Sequence, residues 1–170
     1  SGWTPATLTY APGAEKEPAF QKVLRTCRAA ETECYVLTAD LLQRITGRDN
    51  AQDVIAVFSQ RTIKITDVKS GLWIGLENIR DPGNLGTIIR TADAVKAEGV
   101  ILIGNTCDPW SPEAVRATMG SFAHINIAHT TSDAFISWRP SFKGAVIGTH
   151  LNGAIDYRQP EYGLPMVILM

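Results

Sequence analysis

From residue 72 to the end of the chain, short apolar runs alternate with segments of helical period, and this alternation constrains the fold more than any other feature. Strands are predicted over 72–76, 100–103, 124–128, 145–148 and 166–169, and helices over 85–96, 112–119 and 132–138. Strands joined by helices build a mostly parallel sheet with helices on both faces, so the fold class is α/β. The helix at Pro112 opens as such helices do: Ser111 can cap it, Pro112 suits its first turn, and Glu113 favours its positive end.

A smaller α/β series comes first. A strand at 7–10 runs into a Pro12-Gly13 turn, and Phe20, Val23, Leu24 and Cys27 then repeat at the spacing of an amphipathic helix. A strand at 35–37, a helix behind Thr38 carrying Leu41, Leu42 and Ile45, and a strand at 54–58 complete it. The polar stretch Thr66-Asp67-Val68-Lys69-Ser70-Gly71 has no strong period and divides the chain into domains at 1–66 and 71–170. Both ends are abrupt: Ser1-Gly2-Trp3-Thr4-Pro5 leads straight into a strand, and Val167-Ile168-Leu169-Met170 stops inside one. The expectation is a piece of a longer polypeptide.

Composition excludes several classes. No apolar run approaches the roughly 18 to 20 residues that cross a bilayer, and no secretory signal opens the chain, so no membrane partner is expected. Cys27, Cys34 and Cys107 are odd in number and form no CxxC pair, while His124, His129 and His150 lack ligand spacing; no metal site is expected, and a cytoplasmic location is. Sixteen Lys and Arg against 17 Asp and Glu leave a net charge of −1, so any polyanion must meet a local basic patch. Arg80, Arg116, Arg139 and Lys143 are candidates for it.

Chemistry concentrates in Leu76-Glu77-Asn78-Ile79-Arg80-Asp81-Pro82-Gly83-Asn84-Leu85-Gly86-Thr87-Ile88-Ile89-Arg90-Thr91-Ala92-Asp93. A strand ends at Glu77, Asp81-Pro82-Gly83 makes a turn, and Asn84 is placed as the helix cap. Loops at the carboxyl ends of parallel strands are where such sheets bind ligands. With residues at about 100° intervals, Leu85, Ile88, Ile89, Ala92 and Val95 share one face and Arg90 lies nearly opposite. Gly86, Thr87 and Ala94 are its neighbours, small enough to let a bulky partner reach the guanidinium. On an arbitrary helix such an arginine is simply solvated.

The stretch from Asn78 to Ala92 resembles the first signature motif of the SpoU branch of the SPOUT superfamily, S-adenosyl-L-methionine-dependent RNA ribose 2'-O-methyltransferases. Val100 to Gly104, Ser111-Pro112 with Arg116 and Gly120-Ser121, and Gly148-Thr149-His150-Leu151 with Gly153 are similar to weaker landmarks of that family in the same order. Upstream, Tyr35 to Thr38 and Gln52 leading into Val54 to Val57 resemble the end of the family's substrate-binding domain, a small fold like a ribosomal protein. The resemblance implies a SPOUT α/β knot, RNA as partner with ribosomal RNA favoured over transfer RNA, and a homodimer of the full protein. Two departures stand out. Val95-Lys96 occupies the place of an aromatic-Gly pair, and the family's second and third motifs, which complete its cofactor pocket and knot, fall beyond Met170.

The resemblance implies Arg90 and Asn84 as catalytic residues and Thr149, His150 and Leu151 as contacts to S-adenosyl-L-methionine; from the basic patch, Arg80 and Arg116 are the expected contacts to RNA. Guanidinium groups are poor bases at neutral pH, so the physically easier role for Arg90 is to hold a phosphate and stabilise a developing alkoxide. Alignment of the reactants can supply roughly 7 to 11 kcal/mol and base assistance about 3 to 5. The competing reading is a non-catalytic RNA-binding or dimerisation module of the same fold.

Overall fold

The computed structural model describes residues 3–47 and 52–170; Ser1 and Gly2, part of the abrupt start, lie outside the described residues. Contacts divide the chain into two compact units, Ser1–Gln60 and Arg61–Met170.

In the first unit β1 (Thr7–Tyr10) is followed by α1 (Pro18–Ala29), β2 (Glu33–Val36), α2 (Ala39–Thr46) and β3 (Val54–Val57). Among the described residues these strands form one sheet in the order β2-β1-β3, with β1 parallel to β2 and antiparallel to β3. Its main apolar cluster is Leu8, Tyr10, Leu24 and Cys27, with Phe20 tilted against the Tyr10 ring at 5.1 Å, and Leu42 of α2 is buried as well. Thr38 caps α2, its Oγ1 accepting the Leu41 N–H at 3.4 Å. Of the apolar positions expected to face this core, Val23, Leu41 and Ile45 are exposed.

The second unit contains β4 (Leu72–Glu77), α3 (Pro82–Ala94), β5 (Gly99–Ile103), α4 (Pro112–Ala117), β6 (Asn126–Thr130), α5 (Ser132–Trp138), β7 (Ala145–Gly148) and β8 (Met166–Leu169). The sheet order among the described residues is β6-β5-β4-β8-β7, and every neighbouring pair is parallel. The two-residue alternation of strands sorts the side chains onto two faces. Ile74, Leu76, Val100 and Leu102 pack with Leu85, Ile89 and Ala92 of α3, while Trp73, Ile101, Ile103 and Val167 pack with Phe135, Trp138 and Phe142. All of β5 is buried, as expected of a central strand covered on both sides.

Residues 61–68 group by contacts with the second unit: Ile63, Ile65 and Val68 pack among its aromatic residues, and the Ile63 N–H donates to the Ile127 carbonyl at 2.9 Å. The structure shifts the sequence reading of several single elements. Helix α3 begins at Pro82 and ends at Ala94, leaving Val95 57% exposed instead of on the inner face. Gly86, assigned to the outer face, is buried. His124 precedes β6 instead of opening it, and α4 stops at Ala117.

Candidate functional site

Parallel strands end together, so the segments after β4, β5, β7 and β8 converge at one edge of the sheet. Asn78, at φ 53°, donates its backbone N–H to the Ile103 carbonyl at 2.9 Å, and its Oδ1 accepts the Asn105 N–H at 2.9 Å. Asparagine tolerates this left-handed conformation because its short amide bonds locally. At Gly104, φ 75°, a Cβ would stand 2.7 Å from the Asn78 Oδ1, so the bridge between the two loops requires glycine there. The Cys107 N–H closes the next link on the Ile79 carbonyl at 2.8 Å.

This anchored loop delivers the chain into α3. The cap is Asp81, whose Oδ1 accepts the Asn84 N–H at 2.6 Å. Asn84, expected to be the cap, lies inside the first turn, and its amide is exposed with no recorded hydrogen bond among the described residues. The signal for Asp81 was present in the sequence, since proline at the first helical position points to a cap immediately before it. A cap of this kind stabilises a helix by about 1 kcal/mol.

Arg90 is exposed and takes part in no hydrogen bond or ion pair recorded among the described residues. Seven residues make nearly two turns, which sets Arg90 almost in line with Gly83. The Thr87 hydroxyl donates to the Gly83 carbonyl and the Thr91 hydroxyl to the Thr87 carbonyl, both at 2.9 Å, leaving a low polar surface around the guanidinium. Asn84 lies six residues away, about 120° around the axis and about 9 Å along it, so the helix alone does not bring the two side chains together. Arg80 and Arg116 are also exposed and outside any ion pair among the described residues.

The face of α3 beside Arg90 is fixed by α4, which Ser111 caps through its Oγ and the Ala114 N–H at 3.3 Å. A Cβ on Gly86 would fall 2.4 Å from that of Ala117 and 2.7 Å from the Ala114 carbonyl oxygen, so only glycine permits this approach. Farther along, Asp93 accepts from Ser121 and from His124, the latter at 3.2 Å, and those hydrogen bonds hold its carboxyl below the ordinary aspartate value of 3.8. A lowered pKa means that the folded chain binds the proton less readily than the unfolded one. The stabilisation is therefore full above the ordinary value and is lost as pH falls through the lowered one. We predict that Asp93→Asn flattens the acid limb of stability as pH falls below the ordinary aspartate value, read from urea midpoints; an unchanged limb would remove this pin.

Beyond β7, the segment leading to β8 encloses a hollow of about 650 Å³ lined by Gly148, Thr149, His150, Asn152, Ile155 and Ile168 among others. Thr149 ties it to the sheet, its N–H and hydroxyl both donating to the Leu169 carbonyl at 2.8 and 3.1 Å. The His150 Nδ1 accepts the Asn152 N–H at 3.0 Å, which assigns the ring proton to Nε2. Leu151 is outside the lining and 95% exposed. The sequence reading missed Asn152 and Ile155 because a loop's curvature leaves no periodic trace. Among the described residues no three His, Cys, Asp or Glu side chains cluster as metal ligands, and no helix is long and apolar enough to cross a membrane.

Known proteins place this architecture. The chain is 30% identical over 150 residues to the 23S rRNA (guanosine(2553)-2'-O)-methyltransferase RlmP of Bacillus subtilis, covering 87% of itself and 60% of that protein. It is 27% identical over 179 residues to the 23S rRNA (uridine(2479)-2'-O)-methyltransferase of Streptomyces viridochromogenes, covering 99% and 61%. The crystal structure of AdoMet-bound rRNA methyltransferase from Sinorhizobium meliloti superposes with a TM-score of 0.88 at 40% identity, covering 99% of this chain and 64% of that one. The chain thus spans less than two thirds of the length of these relatives. The model of the SpoU rRNA Methylase family matches residues 71–170, the whole parallel sheet with its α3 motif, and the chain belongs to that family.

Proposed function

We propose that this protein transfers a methyl group from S-adenosyl-L-methionine to a ribose 2'-hydroxyl of RNA, with ribosomal RNA as substrate. The observation that carries the reading is Arg90, exposed and unpaired among the described residues, on the helix that the family motif forms at the carboxyl end of β4. A guanidinium in that position can grip a phosphate through two N–H donors and stabilise negative charge developing on the neighbouring ribose oxygen. Asn84, with its amide toward solvent, is the second polar group the motif offers to the same partner. Arg80 and Arg116 supply further positive charge to an RNA backbone.

The hollow between β7 and β8 fits the cofactor. Its volume of about 650 Å³ lies within the range of small-molecule sites, Ile155 and Ile168 give it apolar walls, and Thr149, His150 and Asn152 give it polar groups. When bound, S-adenosyl-L-methionine supplies an electrophilic methyl group. Thr149 and His150 would hold and orient that molecule, whereas Leu151, expected to join them, stands outside the lining. A homodimer belongs to the same proposal: Leu151, Ile155, Tyr157, Tyr162 and Leu164 are all exposed in this segment and give a second copy an apolar surface to bury.

The test is incubation of the intact protein with S-adenosyl-L-methionine labelled in its methyl group and RNA from cells lacking the gene. Label recovered as 2'-O-methylnucleoside from ribosomal RNA is expected. Label in transfer RNA would correct the substrate, and RNA retained without label would establish the non-catalytic module instead.

A further inference from the structure

We infer that the hollow beside α1 in the first unit receives an unstacked nucleobase of single-stranded RNA, while Lys22, Arg25 and Arg28 hold the adjoining phosphates. The inference rests on RNA as the partner and goes beyond it, since it gives the first unit a base-binding pocket of its own. The hollow has a volume of about 310 Å³, with Trp3, Leu8, Val23 and Phe58 among its walls and Lys22 and Thr26 on its helical side. Trp3 and Phe58 meet edge to face, centroids 6.0 Å apart at 73°. Both rings line the hollow, which gives it an aromatic wall. Val23 and Phe58 are 47% and 37% exposed, so the pocket is reachable from solvent.

Charge selects the occupant. Within Pro18–Ala29, α1 carries Lys22, Arg25 and Arg28 and no Asp or Glu, although the whole chain has a net charge of −1; Glu17 and Glu31 lie just outside its two ends. The three cations recur every third residue, so they form a line slanting about 9 Å along the helix from the rim of the pocket. None of them is in an ion pair among the described residues, and Arg25 spends one N–H on the Gln21 carbonyl at 3.4 Å. An apolar peptide would gain nothing from that line, whereas a polynucleotide has phosphates for it and a flat base for the aromatic pocket. The Thr26 hydroxyl donates to the Lys22 carbonyl at 3.0 Å and keeps lone pairs to accept from a base amino group.

The experiment uses the intact protein without cofactor and two labelled probes, a hexaadenylate and the same hexamer with abasic riboses, compared by fluorescence anisotropy. Because no methyl transfer occurs, failure of the methyltransferase reading and failure of this one are separable. The base-bearing probe should bind about tenfold more tightly. Phe58→Ala should abolish that preference and Phe58→Tyr should keep it. Lys22→Ala should weaken both probes alike and lower the salt dependence by about one charge. Equal binding of the two probes by the parent, as when a peptide or another segment of the chain fills the pocket, would overturn the inference. So would a preference surviving in Phe58→Ala with an unchanged circular dichroism spectrum.

Discussion

Arg90→Lys in the intact protein should bind S-adenosyl-L-methionine as the parent does and lose turnover by about 10² to 10³, the usual size of removing one group that stabilises developing charge. Lysine keeps the unit charge but replaces a planar fork of N–H donors by a point charge, so a loss in Arg90→Lys reports geometry and not attraction alone. Arg90→Ala should lose at least as much. The fold should be indifferent to either change, because the side chain is exposed and forms no hydrogen bond or ion pair among the described residues; surface substitutions of this kind stay within about 0.5 kcal/mol. Thermal unfolding and cofactor titration by calorimetry supply those controls, and single-turnover methylation supplies the readout. Turnover equal to the parent's would remove Arg90 from the reaction.

The architecture was legible in the sequence wherever hydrophobic periodicity reports burial. Strands at 145–148 and 166–169 and the helix at 132–138 stand at the predicted bounds, since each is an apolar or amphipathic run with turn residues on both sides. The sheet order was not legible, because β8 inserts between β4 and β7 and no local pattern encodes which strands become neighbours. The packing of Ile63, Ile65 and Val68 was not legible, because Lys64, Asp67 and Lys69 are interleaved with them and leave no strong period. At the site, the exposure of Arg90 followed from counting angles around the helix. The cap did not, because Asn84 and Asp81 are equally good capping residues by type and only the placement of Pro82 separates them. The pin between Asp93 and His124 spans 31 residues, and nothing local announces it.

The misplacement of Gly86 has the clearest physical cause and leads to the second large effect. A wheel drawn from hydrophobicity treats glycine as neutral, yet a bare backbone is what lets one helix settle directly on another. Gly86→Ala should gain up to about 1 kcal/mol of helix propensity if the new methyl had room. It has none: Ala117 Cβ at 2.4 Å and the Ala114 carbonyl oxygen at 2.7 Å belong to a helix whose backbone cannot turn aside as a flexible side chain would. Steric cost therefore outweighs propensity. We expect a net loss of about 1 to 3 kcal/mol for Gly86→Ala, a fall in Tm of the order of 10 °C, and a greater loss for Gly86→Val. Ala117→Gly in the same chain should restore part of the loss, because it removes the nearer of the two obstacles while leaving the carbonyl; the coupling between the two changes, taken from a double-mutant cycle, is the decisive quantity. Additive effects, or a Gly86→Ala variant as stable as the parent, would mean that α3 and α4 do not touch in this way. Arg90 stands one turn beyond Gly86 on the same helix, so the substitution that pries the helices apart should also tilt the guanidinium. Methylation in Gly86→Ala should then fall even at temperatures where the chain stays folded, and recover partly with Ala117→Gly.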